Sequence, residues 1–348
     1  MMPPLRQSLL GLGLGLFLLA SGPALQAQAR YSVADGEKPV ALLHTHKETY
    51  LVTQQSVFHL EHKHFVRRYQ SAAPIRCVVQ ADTVLWLGTQ YGAICLNTNN
   101  FRARALPLPE VAAAPSITTL FRDAEGTVWL GAAGEGVFRY AQGVLHKELS
   151  IAAVNTGLAT ADSSVWIGTD IGLNRWHRQQ WTRYNEEGVA NHEILDNIVE
   201  KLLLDTAGNL WVLMSAGISV FANPAQQAAD TEHLPTVKFI GKPGNEVYSV
   251  AYLRELGHVF ATEMGVLLLP SEPTGHFESF EPATDRIAPR QVLVPVPALA
   301  SAGKPYLVQV DRRQRVWVAS AGEVSVWTAK AFRQRLRQPE VAPLSAQR

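Results

Sequence analysis

Apolar and polar positions alternate along most of this chain, in short runs that are separated by turn residues. One theme recurs: an apolar run carrying an aromatic residue, a turn with Gly or another small residue, and a second apolar run. Alternation with a period of two is typical of β-strands, because successive side chains of a strand point to opposite faces. The six clear copies are Val84 to Ile94, Val128 to Phe138, Val165 to Trp176, Leu210 to Phe221, Val259 to Leu269 and Val316 to Trp327, and Tyr50 to Leu60 is a fainter seventh.

The spacing of the copies predicts the architecture. Each copy has one marker position, and the markers recur at steps of about 35 to 57 residues, which brackets the length of a four-stranded propeller blade. We therefore predict an all-β fold, a seven-bladed β-propeller of four-stranded antiparallel blades. The markers are Leu51, Trp86, Trp129, Trp166, Trp211, Phe260 and Trp317.

The third copy shows how one unit divides into four strands. Ile117 to Arg122 is the first predicted strand, and an Asp-Ala-Glu-Gly turn leads into the second, Thr127 to Gly131. Gly136 to Tyr140 and Val144 to Leu149 are the third and fourth. Gly at the end of such a turn supplies the positive φ that the turn needs.

The marker tryptophans are predicted to be core residues. Neighbouring blades pack face to face, and a large flat side chain fills the gap between them. Gly88, Gly131 and Gly168 follow three of the markers and would allow close approach of the backbone.

A closed ring leaves no free sheet edge. The segment Arg30 to Gly36 resembles the outermost strand of a blade without its partners, so we expect it to pair with the last unit and close the ring. Phe332 to Leu336 competes for the same place as the fourth strand of that unit.

The N-terminus has the pattern of a cleavable signal peptide. Arg6 precedes an apolar run, Leu9 to Ala20, that is too short to span a membrane comfortably, and Ala27-Gln28-Ala29 has the small-x-small cleavage pattern. We predict cleavage after Ala29, a propeller over residues 30–338, and a disordered tail over residues 339–348. The mature chain would be periplasmic or secreted, without a transmembrane span; the alternative for the apolar run is a buried core element.

Charge excludes one class of partner. The chain has 31 Lys and Arg against 30 Asp and Glu, and removal of the leader with Arg6 leaves 30 of each. Nucleic-acid binding is expected to need a basic patch, so we predict no nucleic-acid partner. No dense basic run favours an anionic membrane surface either.

The cysteines and histidines give little evidence of a disulfide or a metal site. Cys77 and Cys95 fall on the first and third strands of one predicted sheet, about 9–10 Å apart, which is beyond disulfide reach. His44 and His46 share one face of a strand and could begin a metal site, but a polar strand face explains them as well. We predict no metal and no cofactor.

Two connections are longer than the pattern requires. Asn185 to Asn197 is polar, and Phe280 to Pro305 contains five prolines. Long loops in a compact domain are often functional, although tolerated surface insertions are an equally good interpretation.

The repeats resemble the two-component-regulator propeller repeat. Trp166-Ile167-Gly168-Thr169 followed by Gly172-Leu173 matches that family's unit most closely, and Trp86-Leu87-Gly88-Thr89 with Gly92 is next. The resemblance implies an exported sensor propeller of bacterial regulators, many of which detect glycans. This sequence carries one ring of repeats without a kinase or DNA-binding segment, so we expect it to supply only the recognising part.

Candidate ligand-binding residues cluster at one face. Turns between second and third strands and between blades share the face around the central channel, which is the default ligand site. Amides and carboxylates suit hydroxyl-rich ligands, and a tyrosine could stack on a sugar. Each residue could also be an ordinary solvated turn residue. The candidates are Gln54, Gln90, Tyr91, Glu135, Asp170, His192, Glu263 and Glu323, with Gln55, Asn191 and Glu193 beside them.

Catalytic motifs are sparse. The sequence has neither a Gly-x-Ser-x-Gly elbow nor a phosphate-binding Gly loop. We therefore predict a non-catalytic protein that binds a glycan or another small polar ligand. A protein-interaction scaffold at the cell envelope is the first alternative. A glycan lyase or glycosidase, with Asp170 and Glu263 as acid and base, is the second.

Overall fold

The protein forms seven four-stranded antiparallel sheets, as predicted. The computed structural model describes residues 29–33, 36–45, 48–109, 111, 113–186, 194–215, 217–225, 236–237, 246–254, 256–263, 265–270, 294–295 and 304–336. The first strand of each sheet contacts the first strand of the next, and the first and last sheets also meet in this way. The sheets are therefore the blades of a closed ring, and their first strands form its inner wall.

The blades are numbered along the chain. Blade one consists of β2 (Pro39–His44), β3 (Thr49–Thr53), β4 (Ser56–Glu61) and β5 (His64–Gln70). Blade two consists of β6 (Ile75–Ala81), β7 (Val84–Thr89), β8 (Gly92–Asn97) and β9 (Ala103–Leu106). Blade three consists of β10 (Ile117–Arg122), β11 (Val128–Ala132), β12 (Gly136–Ala141) and β13 (Val144–Leu149), which confirms the predicted division of this unit to within one residue.

The remaining blades follow the same order. Blade four consists of β14 (Val154–Ala159), β15 (Val165–Thr169), β16 (Gly172–His177) and β17 (Gln180–Tyr184). Blade five consists of β18 (Val199–Leu204), β19 (Leu210–Met214), β20 (Gly217–Phe221) and β21 (Thr236–Val237), and blade six of β22 (Val247–Leu253), β23 (Gly257–Thr262), β24 (Gly265–Pro270) and β25 (Val294–Pro295). Blade seven consists of β26 (Pro305–Val310), β27 (Arg315–Ser320), β28 (Glu323–Thr328) and the N-terminal β1 (Ala29–Ser32).

The N-terminal strand closes the ring, which confirms that prediction. β1 pairs antiparallel with β28, with Tyr31 opposite Val324, and the Val33 amide extends the pairing by donating to the Gly322 carbonyl over 2.8 Å. The competing assignment of Phe332 to Leu336 as a strand is wrong. These residues belong to helix α1 (Ala329–Leu336), which buries Phe332 completely in the core of the last blades.

The marker tryptophans are buried in the core, also as predicted. Trp86, Trp129, Trp166, Trp211 and Trp317 are all 5% exposed or less. A residue six positions before four of them accepts a hydrogen bond from the indole Nε1. The acceptors are Asp123, Thr160, Asp205 and Asp311, at 2.9 to 3.2 Å.

The three aspartates have a second role in the same turn. One carboxylate oxygen accepts from two backbone amides of the turn between the first and second strands, and the other accepts from the indole. A single side chain thus fixes the turn and the core tryptophan together. From the sequence, Asp123 was expected to act in the turn alone.

Glycines after the markers let adjacent blades approach closely. A Cβ atom added to Gly168 would lie 2.5 Å from Val199 Cγ1, and one on Gly131 would lie 2.6 Å from Val154 Cγ1. In both cases the neighbour is the first residue of the next blade's innermost strand. Side chains larger than hydrogen would push that strand away, because packed interiors leave no spare room.

Several predictions fall outside the described residues. They are the signal peptide up to residue 28, the tail over residues 339–348, and most of the two long connections. Cys77 and Cys95 lie on β6 and β8 as expected, and both are free thiols. In the part of the chain that the structure describes, no helix has the length and hydropathy needed to cross a membrane.

Candidate functional site

A β-bulge at the start of every blade points one residue into the central channel. In each of the seven innermost strands the pairing with the second strand skips one residue, and the skipped residue is always the second of its strand. Bulges of this kind redirect a side chain and are common next to functional sites. The skipped residues, in blade order, are Val40, Arg76, Thr118, Asn155, Glu200, Tyr248 and Tyr306.

All seven of these residues, which we call the bulge ring, line one cavity. The cavity has a volume of about 840 Å³ and lies inside the circle of innermost strands. Small-molecule sites in proteins typically have volumes of 300–1,000 Å³, so a di- or trisaccharide-sized ligand would fit. Three cationic side chains, Lys38, Arg76 and Lys201, face three carboxylates, Asp170, Glu200 and Glu246.

One arc of the cavity is aromatic. The rings of Tyr248 and Tyr306 lie 5.1 Å apart, and the Lys38 ammonium lies 5.1 and 4.8 Å from their centroids. The Tyr248 hydroxyl donates to Glu263, which also accepts from Lys304. These two hydrogen bonds, led by that of Lys304, hold the pKa of Glu263 below its usual value, whereas burial and Glu263 raise the pKa of Tyr248.

The opposite arc is polar and carries hydrogen-bonding groups on every blade. Arg76 donates to the Ser116 hydroxyl over 3.0 Å. The Asn155 amide donates to Asp170 over 2.7 Å and to the Val199 carbonyl over 3.1 Å. Since Glu200 stands on blade five and Arg76 on blade two, opposite charges occur on opposite sides of the channel.

In blades three to six, the residue after the bulge connects its blade to the next one by a hydrogen bond. Thr119 donates to the Gly157 carbonyl, Thr156 accepts from the Leu202 amide and Ser249 accepts from the Val308 amide, over 2.7 to 3.1 Å. Blade five has Lys201 at this position, and its ammonium donates to the Tyr248 carbonyl over 2.5 Å. Burial lowers the pKa of Lys201 to about 8, and Glu246 nearby opposes the shift.

Three of the residues predicted from sequence line the cavity. Gln54 and Gln90 stand in turns between second and third strands, and Asp170 occupies the equivalent turn of blade four. All three side chains are exposed to solvent in the channel mouth. The structure therefore brings these three together around one cavity, although their role in binding stays a prediction.

The other predicted residues lie away from the cavity lining. Tyr91 is 67% exposed, the Glu135 carboxylate lies 3.7 Å from Lys147, and Glu323 lies 3.9 Å from Arg30 of the closing strand. Glu263 reaches the cavity only through its hydrogen bond with Tyr248. The prediction for His192 lies outside the described residues, as do those for Asn191 and Glu193.

Sequence reasoning missed the bulge ring. The available clue was that each innermost strand begins with a buried apolar residue, such as Ile75, Val154 or Val199, followed by a residue of any type. From the alternation of apolar and polar residues alone, that second residue would be expected to face solvent at the edge of the sheet. Only the skipped pairing shows that it points to the channel.

Of the histidine pair His44 and His46, the structure describes only His44, so the metal-site alternative for the pair lies outside the described residues. No group of three or more His, Cys, Asp or Glu side chains able to hold a metal occurs among the residues that the structure describes. His44 packs its ring 4.5 Å from that of Trp317 and bonds to Thr49, and burial lowers its pKa to about 4. His59 bonds to Glu61 over 2.8 Å.

Comparison with solved structures supports the architecture. The extracellular domain of a protein assigned to a hybrid two-component system of B. thetaiotaomicron matches with a TM-score of 0.61 and 17% identity. The match covers 86% of this chain and 39% of that one, so the chain spans about two fifths of that domain. The two share the propeller fold. The match agrees with the resemblance that the repeats show to two-component-regulator propellers, and the matched structure is an extracellular domain.

Two further propellers have other roles. A virginiamycin B lyase from Staphylococcus aureus matches with a TM-score of 0.60 and 12% identity, over 85% of this chain and 97% of that one. PorZ, a surface component of the type-IX secretion system of Porphyromonas gingivalis, matches with a TM-score of 0.55 and 13% identity, over 83% and 46%. No family model and no curated protein matches the sequence.

Proposed function

We propose that this chain is an exported recognition propeller that binds a glycan or another small polar ligand in its central channel without chemical turnover. The observation that carries the proposal is the bulge ring, since seven separate bulges direct seven side chains into one cavity. A protein that served only as a scaffold would not need a β-bulge at the same position of every blade.

The chemistry of the ring fits a hydroxyl-rich ligand. The aromatic arc of Tyr248 and Tyr306 offers a surface for the C–H face of a sugar ring. The amides of Gln54, Gln90 and Asn155 can donate to and accept from hydroxyls, and the carboxylate of Asp170 can accept from them. Equal numbers of cationic and anionic side chains disfavour a strongly charged ligand.

A glycan-array screen of the exported chain, followed by thermal unfolding with each hit, tests the proposal. A ligand present at a hundred times its Kd should stabilise the folded protein by about 2.7 kcal/mol. Tyr306→Ala and Arg76→Ala should remove the shift, because both side chains belong to the bulge ring. Val66→Thr, on the outer strand of blade one, is the matched control and should keep it.

The proposal fails if no array component raises the unfolding temperature, or if the channel variants bind as tightly as the parent. In the first case, capture of a protein partner from envelope extracts would favour the scaffold alternative. PorZ, a surface component with the same fold, motivates that alternative.

A catalytic role is the second candidate, and one specific observation favours it. The virginiamycin B lyase matches over nearly its whole length, and three carboxylates line the cavity here. If the protein cleaves the glycan it binds, prolonged incubation would release shorter fragments, and Glu200→Gln would stop the release. Recovery of the intact glycan would exclude this activity for that ligand.

A further inference from the structure

A second polar cavity lies on the face of the propeller opposite to the channel mouth. It has a volume of about 950 Å³ and is bounded by the turns between first and second strands of blades three and four and by the turn between third and fourth strands of blade four. We call it the lateral groove. Its lining residues include Asp123, Glu125, Trp129, Glu148, Trp176 and His177.

The groove contains tryptophan surface that the core does not cover. The chain has eight tryptophans, and six of them are buried at 5% exposure or less. Trp176 and Trp181 are the two that stay partly exposed, and they are cross-strand neighbours with ring centroids 5.2 Å apart. Trp176 also lies 6.4 Å from Trp129 of the adjacent blade, so the two blades share one aromatic cluster.

The position that Trp176 occupies in its blade is partly exposed in blades one, three and four and buried in the other blades. Trp176 pairs with Val165 in the same register in which Phe221 pairs with Leu210 and Trp327 pairs with Val316. Phe221 and Trp327 are each 2% exposed and belong to the core. The equivalent side chain in blade four faces the lateral groove instead.

Polar groups around the indole are held in fixed orientations. Glu148 accepts from Arg139 over 2.7 Å, and Asp123 accepts from Trp129 over 2.9 Å. His177 Nδ1 bonds to the Ser164 hydroxyl over 2.8 Å, and burial together with Arg175 lowers its pKa. Hydrogen-bond acceptors that are held in fixed orientations beside a partly exposed indole are groups that can recognise a sugar.

The charge of the groove narrows the ligand class. Its lining has four carboxylates, Asp123, Glu125, Glu148 and Asp162, against the two guanidiniums of Arg139 and Arg178, and Arg175 behind the lining pairs with Asp162 over 3.2 Å, which leaves one carboxylate in excess. Excess carboxylate repels uronic acids and sulfated sugars. We infer that the lateral groove is a second saccharide-binding site, specific for neutral or amino sugars and separate from the channel.

Intrinsic fluorescence tests this inference directly, because Trp176 and Trp181 are the tryptophans accessible to a quencher. The exported chain is titrated with hexamers of glucose, glucosamine and galacturonic acid, and acrylamide quenching is measured at each step. Glucose or glucosamine hexamers should protect the indoles, whereas galacturonic acid hexamers should not. Trp176→Ala should weaken binding about threefold to tenfold, in line with the usual strength of aromatic stacking.

Variants separate this site from the channel and from unfolding. Trp176→Phe keeps a ring in the groove and should bind more tightly than Trp176→Ala, and Glu125→Gln, in an exposed turn, should weaken glucosamine binding with no loss of stability. Val66→Thr is the control. If a hexamer still protects the indoles in the Tyr306→Ala and Arg76→Ala variants, the groove is the binding site, even if the channel binds no ligand. The inference is overturned if no hexamer protects, if only galacturonic acid protects, or if the channel variants alone abolish protection.

Discussion

Replacing Asp205 should be one of the most damaging single changes in the molecule. Its side chain is fully buried, and its two oxygens accept five hydrogen bonds. Oδ1 accepts from the amides of Ala207 and Asn209, while Oδ2 accepts from Trp211 Nε1, Asn209 Nδ2 and His258 Nε2, all at 2.8 to 3.0 Å. His258 comes from blade six, so this one carboxylate joins two blades.

The expected cost follows from what Asp205→Ala leaves behind. Trp211 and His258 stay buried at 0% and 2% exposure but lose this acceptor. Each buried donor that loses a hydrogen bond costs about 1–3 kcal/mol, and Asp205→Ala removes this acceptor from the Trp211, His258 and Asn209 side chains. We expect a loss of about 3–5 kcal/mol in the free energy of unfolding.

Asp123 provides the matched comparison, because it makes the same turn and the same indole hydrogen bond without a histidine from the next blade. Its oxygens accept from Glu125, Thr127 and Trp129, and the side chain is partly exposed. Asp123→Ala should therefore cost about 1–2 kcal/mol. Urea unfolding at pH 7, followed by near-ultraviolet circular dichroism, measures both variants. The reasoning is refuted if Asp205→Ala loses no more stability than Asp123→Ala.

Acid titration gives an independent check on the same carboxylate. Burial raises the pKa of Asp205, but the hydrogen bonds from His258, Trp211 and Asn209 outweigh burial and hold the pKa below its usual value. A carboxyl with a depressed folded-state pKa contributes stability above its unfolded pKa of about 3.9 and loses it as pH falls through the folded value. Asp205→Asn should flatten that part of the stability profile below about pH 4. An unchanged slope would contradict the assignment.

Three further predictions concern the ring. Gly168→Ala should lower stability by about 1–3 kcal/mol, because the added Cβ would overlap Val199 Cγ1 of the next blade, and a change below 0.5 kcal/mol would show that the blades can separate freely. Deleting residues 29–32 should expose β28 and produce a lower unfolding temperature and larger species in size-exclusion chromatography, since the ring would gain a free edge; an unchanged monomer would refute closure by β1. Burial lowers the pKa of His44 to about 4, so stability should fall as pH decreases from about 6.5 to 4, and His44→Leu should remove that dependence in urea titrations.

Fold prediction succeeded where it depended on local pattern. Alternating apolar positions and marker tryptophans located the blades, and an unpartnered strand near Arg30 located the closure. Prediction failed at Phe332 to Leu336, where an apolar residue in a short polar segment fits a strand or a helix equally well. The Thr328 hydroxyl accepts from the Ala331 amide over 3.1 Å, and this N-terminal cap favours the helix.

The candidate site was less predictable for a physical reason. Turn residues such as Gln54 and Gln90 can be placed on a face from topology alone, because the turn position fixes the face. A bulge depends on one extra residue in the pairing of two strands, and the hydrophobic pattern does not record it. Trp176 shows the same limit, since the equivalent side chain is buried in some blades and partly exposed in others, and the hydrophobic pattern does not separate the two cases.

The packing of neighbouring blades and the lining of the channel depend on different positions of each blade. The second strand carries the tryptophan and the small residue that hold neighbouring blades together, as Trp166 and Gly168 do in blade four. The second residue of the innermost strand faces the channel and bears almost any side chain, from Val40 to Arg76 to Tyr306. Substitutions there can change the ligand while the core stays intact. Arg76→Ala should accordingly alter ligand binding and leave the urea midpoint within about 0.5 kcal/mol of the parent, as surface substitutions usually do.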